Sequence, residues 1–462
     1  MIQVARFVGC WLCVVACVGA AVCCSAAPDR AAASRAFAGD GIGYNLPGYN
    51  YDEAKVPPYS MLDPLRMADD TPVTTPQQWW DLRRPQIVTL FQDNIYGRTP
   101  ATAEHTNIRV EPVEQSTAAL DGLASRKQVD LIFGPTPAPG AHTAWRLRLL
   151  LYVPSGAHGP VPVIFGLNFK GNQSVADDPG IRPTDVWTFS DDKAPVYASP
   201  AAETWGSHSS GWQVKTVLSR GYGLATAYYQ DLEPDATVQR ADSVRALFDS
   251  PGAAPAVNTW GALAAWAWGY QQAVAYLQTD PAIDAKHIAV TGHSLLGKAA
   301  DWAAATNPQI AALLSTESGK GGQSLQRRDL GETVEHLDEA FPHWFCPAYG
   351  RWIGHDKDIP ADGNLLVALM APRPVYVASA HDDRFGDPKG EFLSARSAST
   401  VYTLLGAKAL AQDAVMPAVD QPIGLDGDVA YHVRSGVHEV TAFDWARYLD
   451  FLDAHWGVPA RR

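Results

Sequence analysis

The sequence predicts an α/β fold: a mainly parallel sheet between helices, with an N-terminal extension. Three observations carry the prediction. From Val161 onward, short apolar runs alternate with segments of helical length, and crossovers that long suit parallel strands. One such run, Ile288-Ala289-Val290-Thr291, turns sharply at Gly292-His293-Ser294 into an alanine-rich helix from Lys298 to Thr306. No linker divides the strands into two cores and no internal repeat is present. One catalytic domain is therefore expected at residues 141–462, with residues 28–140 an extension packed on it.

Residues 1–27 read as a secretory signal: Arg6, an apolar run from Phe7 to Val22, then small residues at Ser25-Ala26-Ala27. A secreted or periplasmic location follows, with a retained anchor as the alternative. Cys10, Cys13, Cys17, Cys23 and Cys24 fall in this segment, so the mature chain keeps only Cys346, expected to be buried and inert. Residues 28 to 40 form an alanine-rich lead-in. From Tyr44 the Pro, Tyr and Asp content suggests an extended segment wrapped on a surface. Leu82, Ile87, Leu90, Phe91 and Ile95 give residues 79–96 a helical period. Residues 106–134 and 143–153 are strand-like, and the alternation from Trp145 to Tyr152 predicts an antiparallel sheet edge. Further strands are read at 161–166, 225–229, 287–291, 310–316 and 374–380, with Asn258 capping a helix that runs to Leu277. Residues 170–215 read as one long polar loop following a strand end, where such loops are usually functional.

The 462 residues are 47% hydrophobic and 18% charged, ample for a large core. A net charge of −13 argues against nucleic acid and anionic membrane surfaces as partners. Fifteen tryptophans admit sugar stacking or core packing. The chain is expected to be a monomer.

A serine hydroxyl needs a base to take its proton, and the base needs an acid to orient it. In the α/β-hydrolase fold the chain order is serine, acid, histidine. Ser294 is the candidate nucleophile. His438, between the last strand-like segment and a closing helix at 441–455, is the candidate base; His432, inside the strand, reads as structural. Two acids compete: Glu317 ends the strand after the serine helix, and Asp383 ends the next, the generic position for the acid. The backbone N–H of Leu295 is the natural oxyanion donor, with a second donor from the turn at 167–172. His381-Asp382-Asp383 lacks companion ligands at metal spacing, so no metal is expected.

The spacing narrows this reading. The usual elbow is G-x-S-x-G; here the second glycine falls one residue later, giving G-H-S-L-L-G-K at 292–298. That run, with T-E-S-G-K-G-G at 316–322, A-L-M-A-P-R-P-V-Y-V-A-S-A at 368–380 and Y-H-V-R-S-G-V-H at 431–438, resembles carbohydrate esterase family 15, the glucuronoyl esterases, in their bacterial branch. Residues 50–59 and 166–172 share the likeness, which covers nearly the whole mature chain.

The resemblance implies an α/β-hydrolase without a cofactor. Its partners would be plant cell wall glucuronoxylan and lignin-carbohydrate esters, cleaved between glucuronic acid and lignin alcohols. It matches Ser294 to the nucleophile, His438 to the base, and Glu317 and Asp383 to acids used by different members. Lys298 and Glu332 match groups that hold sugar hydroxyls, as a donor and an acceptor. Three positions depart from the family pattern: Leu295 stands for an arginine, Phe385 for a sugar-facing tryptophan and Asn364 for a histidine. They leave other carbohydrate esters (acetyl or methyl), or a weakened carbohydrate-binding relative, as alternatives.

Overall fold

The computed structural model describes residues 48–104, 106–134, 145–190, 193–237, 242–249 and 255–457. The segment read as a signal and the alanine-rich lead-in lie outside them.

A nine-stranded sheet has the order β1-β2-β3-β7-β4-β8-β9-β10-β11. The strands are β1 (Arg109–Ala119), β2 (Ala124–Phe133), β3 (Trp145–Pro154), β4 (Val161–Asn168), β7 (Gly223–Tyr228), β8 (Ile283–His293), β9 (Ala312–Thr316), β10 (Val375–Ala380) and β11 (Val429–Arg434); β5 (Val186–Ser190) and β6 (Lys193–Ala198) form a separate hairpin. From β7 to β11 all neighbours are parallel, while β1, β2 and β3 add an antiparallel edge. The anticipated boundary at 140/141 falls between β2 and β3, which pair from Ala124–Pro154 to Phe133–Trp145.

Alternation along the strands sends side chains to two cores. Leu313, Val375 and Val377 join the helices Ala262–Leu277, Leu295–Thr306 and Pro388–Leu404. Leu314, Tyr376 and Ala378 join Val214–Ser219 and Ala442–Trp456. A parallel strand buried on both faces needs this near-continuous apolar run. Each fully buried Val or Leu contributes roughly 1.5–3 kcal/mol over exposure, so the loops at the strand ends rest on a rigid base. Trp79, Trp260, Trp266, Trp268 and Trp344 are all buried in the first core rather than presented to sugar. Cys346 is buried and unpaired by disulfide, and burial pushes its thiol up.

The helix read at 79–96 opens with a Thr75–Gln78 capping box and a wider turn at Trp79–Arg83, then runs regularly from Arg84 to Asn94. Two expectations need correction. Asn258 does not cap the 262–277 helix; Gly261 does. Residues 258–261 are instead bonded to residues 96–98, through Arg98 N to Asn258 O at 2.8 Å and Gly261 N to Tyr96 O at 3.0 Å. The Asn258 amide turns to Asp93 at 2.7 Å. Residues 170–215 are not one irregular loop, because they contain the β5–β6 hairpin and a short helix at Ser209–Trp212. Strands of five and six residues, set in an otherwise polar stretch, are too short to show a period. Gly206 N to Gln173 O and His208 N to Ser174 O, both 2.9 Å, pin this segment beside the sheet's C-terminal edge. Among the described residues no helix is long and apolar enough to cross a membrane.

Candidate active site

Ser294 follows β8 directly, with φ 57° and ψ −128°, a backbone that L-residues adopt only under constraint. The constraint is visible. A Cβ on Gly292 would lie 2.1 Å from the Leu296 carbonyl oxygen, so only glycine fits, and Ser294 N donates to Thr316 O of β9 at 3.0 Å. The helix starts at Leu295, and its first-turn N–H groups, including that of Leu295, precede any intrahelical acceptor. The Leu295 side chain turns into the core. Gly297 explains the shifted spacing: a Cβ there would meet Ser318 Cβ at 2.9 Å, because the helix passes tightly under the loop after β9. Ser294 Oγ is buried and has no hydrogen-bond partner among the described residues.

Both candidate acids reach His438. Its Nδ1 lies 2.8 Å from Asp383 Oδ2 and 3.2 Å from Glu317 Oε2. They converge because β9 and β10 are parallel neighbours whose ends share one edge; Glu317 N donates to Ala378 O at 2.7 Å. The second Glu317 oxygen accepts from Arg434 Nη2 at 2.7 Å. Asp383 Oδ1 takes the Gly386 N–H at 3.3 Å. Burial raises the Glu317 carboxyl above its ordinary value, and the Arg434 guanidinium pulls against that rise.

Sequence reasoning missed His293 and the Arg434 network. His293 Nε2 is 3.1 Å from Glu317 Oε2, and its ring lies 4.4 Å from that of His438. Burial holds it well below the ordinary histidine value, with His438 and Arg434 adding to the effect, so it is a neutral donor. Arg434 also donates Nε to Asp444 Oδ2 at 3.0 Å, and Asp444 Oδ1 holds His432 at 2.9 Å. Burial alone would raise Asp444, but His432 and Arg434 hold it below its ordinary value. His432, between Tyr376 OH and Asp444, is the structural histidine that its strand position implied. The ligand atoms of His293, Glu317 and His438 lie within 4.8 Å of one another, close enough to admit a metal ion. They are already bonded among themselves, however, and a metal would have to displace the proton between them.

Lys298 and Glu332 are buried beside this cluster. Lys298 Nζ donates to Ser318 O and lies 3.6 Å from Glu332 Oε2, which also accepts from Lys320 N at 3.0 Å. Glu332 Oε1 is buried without a partner among the described residues, and burial raises its carboxyl. Glu332 N donates to Phe385 O at 3.0 Å, so the two loops touch. Phe385 is itself only 3% exposed. Asn364 lies away from these groups, bonded to Leu62 O and Ser397 Oγ. On the other side of His293, a cavity of about 250 Å³ is lined by Leu167, Phe169, Trp212, His293, Val440 and Trp445 among others.

The geometry suits acyl transfer through a serine: a constrained hydroxyl, an imidazole braced by carboxylates, a helix N-terminus and a buried lysine–glutamate pair. A fungal glucuronyl esterase family model matches residues 254–406. Carbohydrate esterase MZ0003, from an unknown prokaryotic organism, is 39% identical over 88% of this chain and 92% of its own length. The solved glucuronoyl esterase of Solibacter usitatus is 41% identical, with a TM-score of 0.81 over 88% of this chain and all (100%) of the other. A promiscuous family 15 esterase from a marine bacterial metagenome is 39% identical, with a TM-score of 0.80 over 88% and 100%. On fold, site and likeness together, the chain belongs to carbohydrate esterase family 15, the glucuronoyl esterases, which are carboxylic ester hydrolases of the α/β-hydrolase fold.

Proposed function

We propose that this chain hydrolyses esters of 4-O-methyl-glucuronic acid of the kind that join glucuronoxylan to lignin alcohols, through a glucuronoyl-Ser294 intermediate. One observation carries the reading: Ser294 Oγ and Glu332 Oε1 are both buried without partners among the described residues, in a site that also holds Lys298. An unsatisfied buried polar atom costs roughly 1–3 kcal/mol, and an ester presenting a carbonyl carbon and sugar hydroxyls would relieve both.

His438 turns Nδ1 to the carboxylates, which leaves Nε2 to take the Ser294 proton as Oγ attacks the ester carbon. The negative oxygen that forms meets the Leu295 N–H; losing one such donor typically costs ~10²–10³ in rate. Asp383 and Glu317 stabilise the imidazolium. His438 then gives its proton to the leaving alcohol, and next activates water to free glucuronate and restore Ser294. Lys298 donates to sugar hydroxyls and Glu332 accepts from them. Residues 1–27 would direct the chain out of the cytoplasm, to where this substrate is found.

Hydrolysis of benzyl glucuronate tests the activity, and Ser294→Ala tests the mechanism. Turnover by the alanine variant at the wild-type rate would end it. A broader carbohydrate-ester range is the second reading. It is favoured by the promiscuity of the 39%-identical marine esterase. Preference for acetylated xylan in a side-by-side assay would make that the main activity.

A further inference from the structure

Residues 49–55 carry none of the groups assigned to acyl transfer, yet they are bonded to both loops that bear the sugar-facing side chains. On the Glu332 loop, Gly331 N donates to Asn50 O at 2.8 Å and Asn50 Nδ2 donates to Asp329 O at 2.7 Å. Glu53 pairs with the buried Arg328 of the same loop. In the first turn of the helix that follows the Phe385 loop, Glu53 takes Lys389 Nζ at 2.5 Å. Arg328 in turn reaches Asp387 at 3.0 Å, so Glu53, Arg328 and Asp387 form a chain of charge across the two loops. Tyr49 presents its ring edge-on to Phe385 at 5.8 Å and 84°, while its hydroxyl bonds His336 Nδ1. The His336 ring also meets Phe385 edge-on, at 5.2 Å and 87°. Phe385 is thus set between two perpendicular rings, one of them brought by the N-terminal segment. Burial pushes His336 down to about 4, so the ring is neutral at working pH; its Nε2 is buried with no partner among the described residues.

Stability is a poor explanation for this arrangement. The Glu53 side chain is half-exposed, and exposed ion pairs contribute little to folding. Their direction is informative: one carboxylate draws on the Glu332 loop and on the helix that the Phe385 loop leads into. Edge-to-face rings likewise fix an orientation as well as bury area.

We infer that residues 49–55 form a strap that positions the uronate subsite. By holding the Glu332 and Phe385 loops together, the strap sets affinity for the sugar-acid part of an ester and leaves the acyl-transfer step alone. The inference rests on the assignment of Lys298, Glu332 and Phe385 to the sugar. Tyr49 and Glu53 are positioning residues in this scheme, acting through groups that touch substrate.

The test uses the full chain with Tyr49→Ala, Tyr49→Phe and Glu53→Gln, on benzyl glucuronate and on 4-nitrophenyl acetate, which has no sugar. Tyr49→Ala and Glu53→Gln should raise KM for the glucuronate ester about tenfold and change kcat less than about twofold. Tyr49→Phe, which keeps the ring, should lose less. None should alter kcat/KM on 4-nitrophenyl acetate. Equal losses on both esters, or an unchanged KM on glucuronate in folded variants, would overturn the strap. Melting temperatures identify a variant that fails to fold, and Glu53→Gln, at a half-exposed position, then decides. Wild-type inactivity on benzyl glucuronate with activity on acetate would defeat the functional reading first, and the strap with it.

Discussion

Asp383 is expected to orient His438 more strongly than Glu317, although distance alone does not decide between them. At an effective dielectric of about 20, a unit charge 2.8 Å from the imidazolium gives about 6 kcal/mol and one at 3.2 Å about 5 kcal/mol. That gap is about fivefold in rate at most. The neighbours matter more. Glu317 is 2.7 Å from the Arg434 guanidinium, with both side chains almost wholly buried, so most of its charge is spent there. His293 takes a further share of the oxygen that faces His438. Asp383 has the Gly386 N–H at 3.3 Å on its other oxygen. Its field therefore falls mainly on the imidazole.

Removing the acid of a serine triad costs ~10⁴ in kcat when nothing replaces it. Here each acid backs up the other. Asp383→Asn should lower kcat on benzyl glucuronate about a hundredfold and Glu317→Gln about tenfold; the double variant should approach ~10⁴, beyond the product of the two. In free energy these losses are about 2.7, 1.4 and 5.4 kcal/mol, a coupling of about 1.3 kcal/mol. Steady-state kinetics measure all three, and melting temperatures confirm that Arg434, still held by Asp444 at 3.0 Å, keeps the fold in Glu317→Gln. A larger fall for Glu317→Gln than for Asp383→Asn would refute the argument that Arg434 consumes the Glu317 charge.

His293→Asn removes the donor on Glu317 Oε2 and should lower kcat about tenfold at unchanged KM, with a smaller effect in a Glu317→Gln background; equal effects in both backgrounds would separate His293 from Glu317. Leu295→Arg should lower the melting temperature, since it removes a core side chain only 1% exposed, and should raise kcat on glucuronate esters only if the long arginine side chain turns out of the core toward the ester. An unchanged or lower rate would show that it does not. Burial raises the Glu391 carboxyl to about 8, so the native state keeps a proton that the unfolded chain releases above its ordinary value of 4.5. The stability from that proton is present below about pH 4.5 and is lost as pH rises through about 8. Glu391→Gln should therefore narrow the difference in melting temperature between pH 5 and pH 8, read by calorimetry.

The elbow was legible because it is local. Gly292, Ser294 and the helix from Leu295 are contiguous, and their backbone demands are written in adjacent letters. His438 was legible from chain order, and His432 from its place inside the strand. The competition between Glu317 and Asp383 could not be resolved from sequence, because both end parallel strands at one edge and either could reach the ring. Their difference depends on Arg434, whose guanidinium reaches back from β11 to Glu317 across 117 residues of chain. His293 was hidden for a related reason. Its neighbour Ser294 drew the functional reading, and its partner is fixed only once Glu317 takes a positive φ of 50°. Residues 170–215 concealed a hairpin because strands of five and six residues leave no period to count.

The shifted glycine links the two halves of the site. In a helix, positions four apart share a face, so Lys298 projects beside Ser294, one turn on. Its ammonium can reach Ser318 O and Glu332 only if the loop after β9 lies close to the helix, and the close approach occurs at Gly297. A glycine at 296 would relieve crowding at another point on the helix surface, one residue and about 100° away. The departure from G-x-S-x-G is thus a packing requirement. In the proposed mechanism, moving the small residue by one position lets a single helix present a nucleophile to the ester and a cation to the sugar.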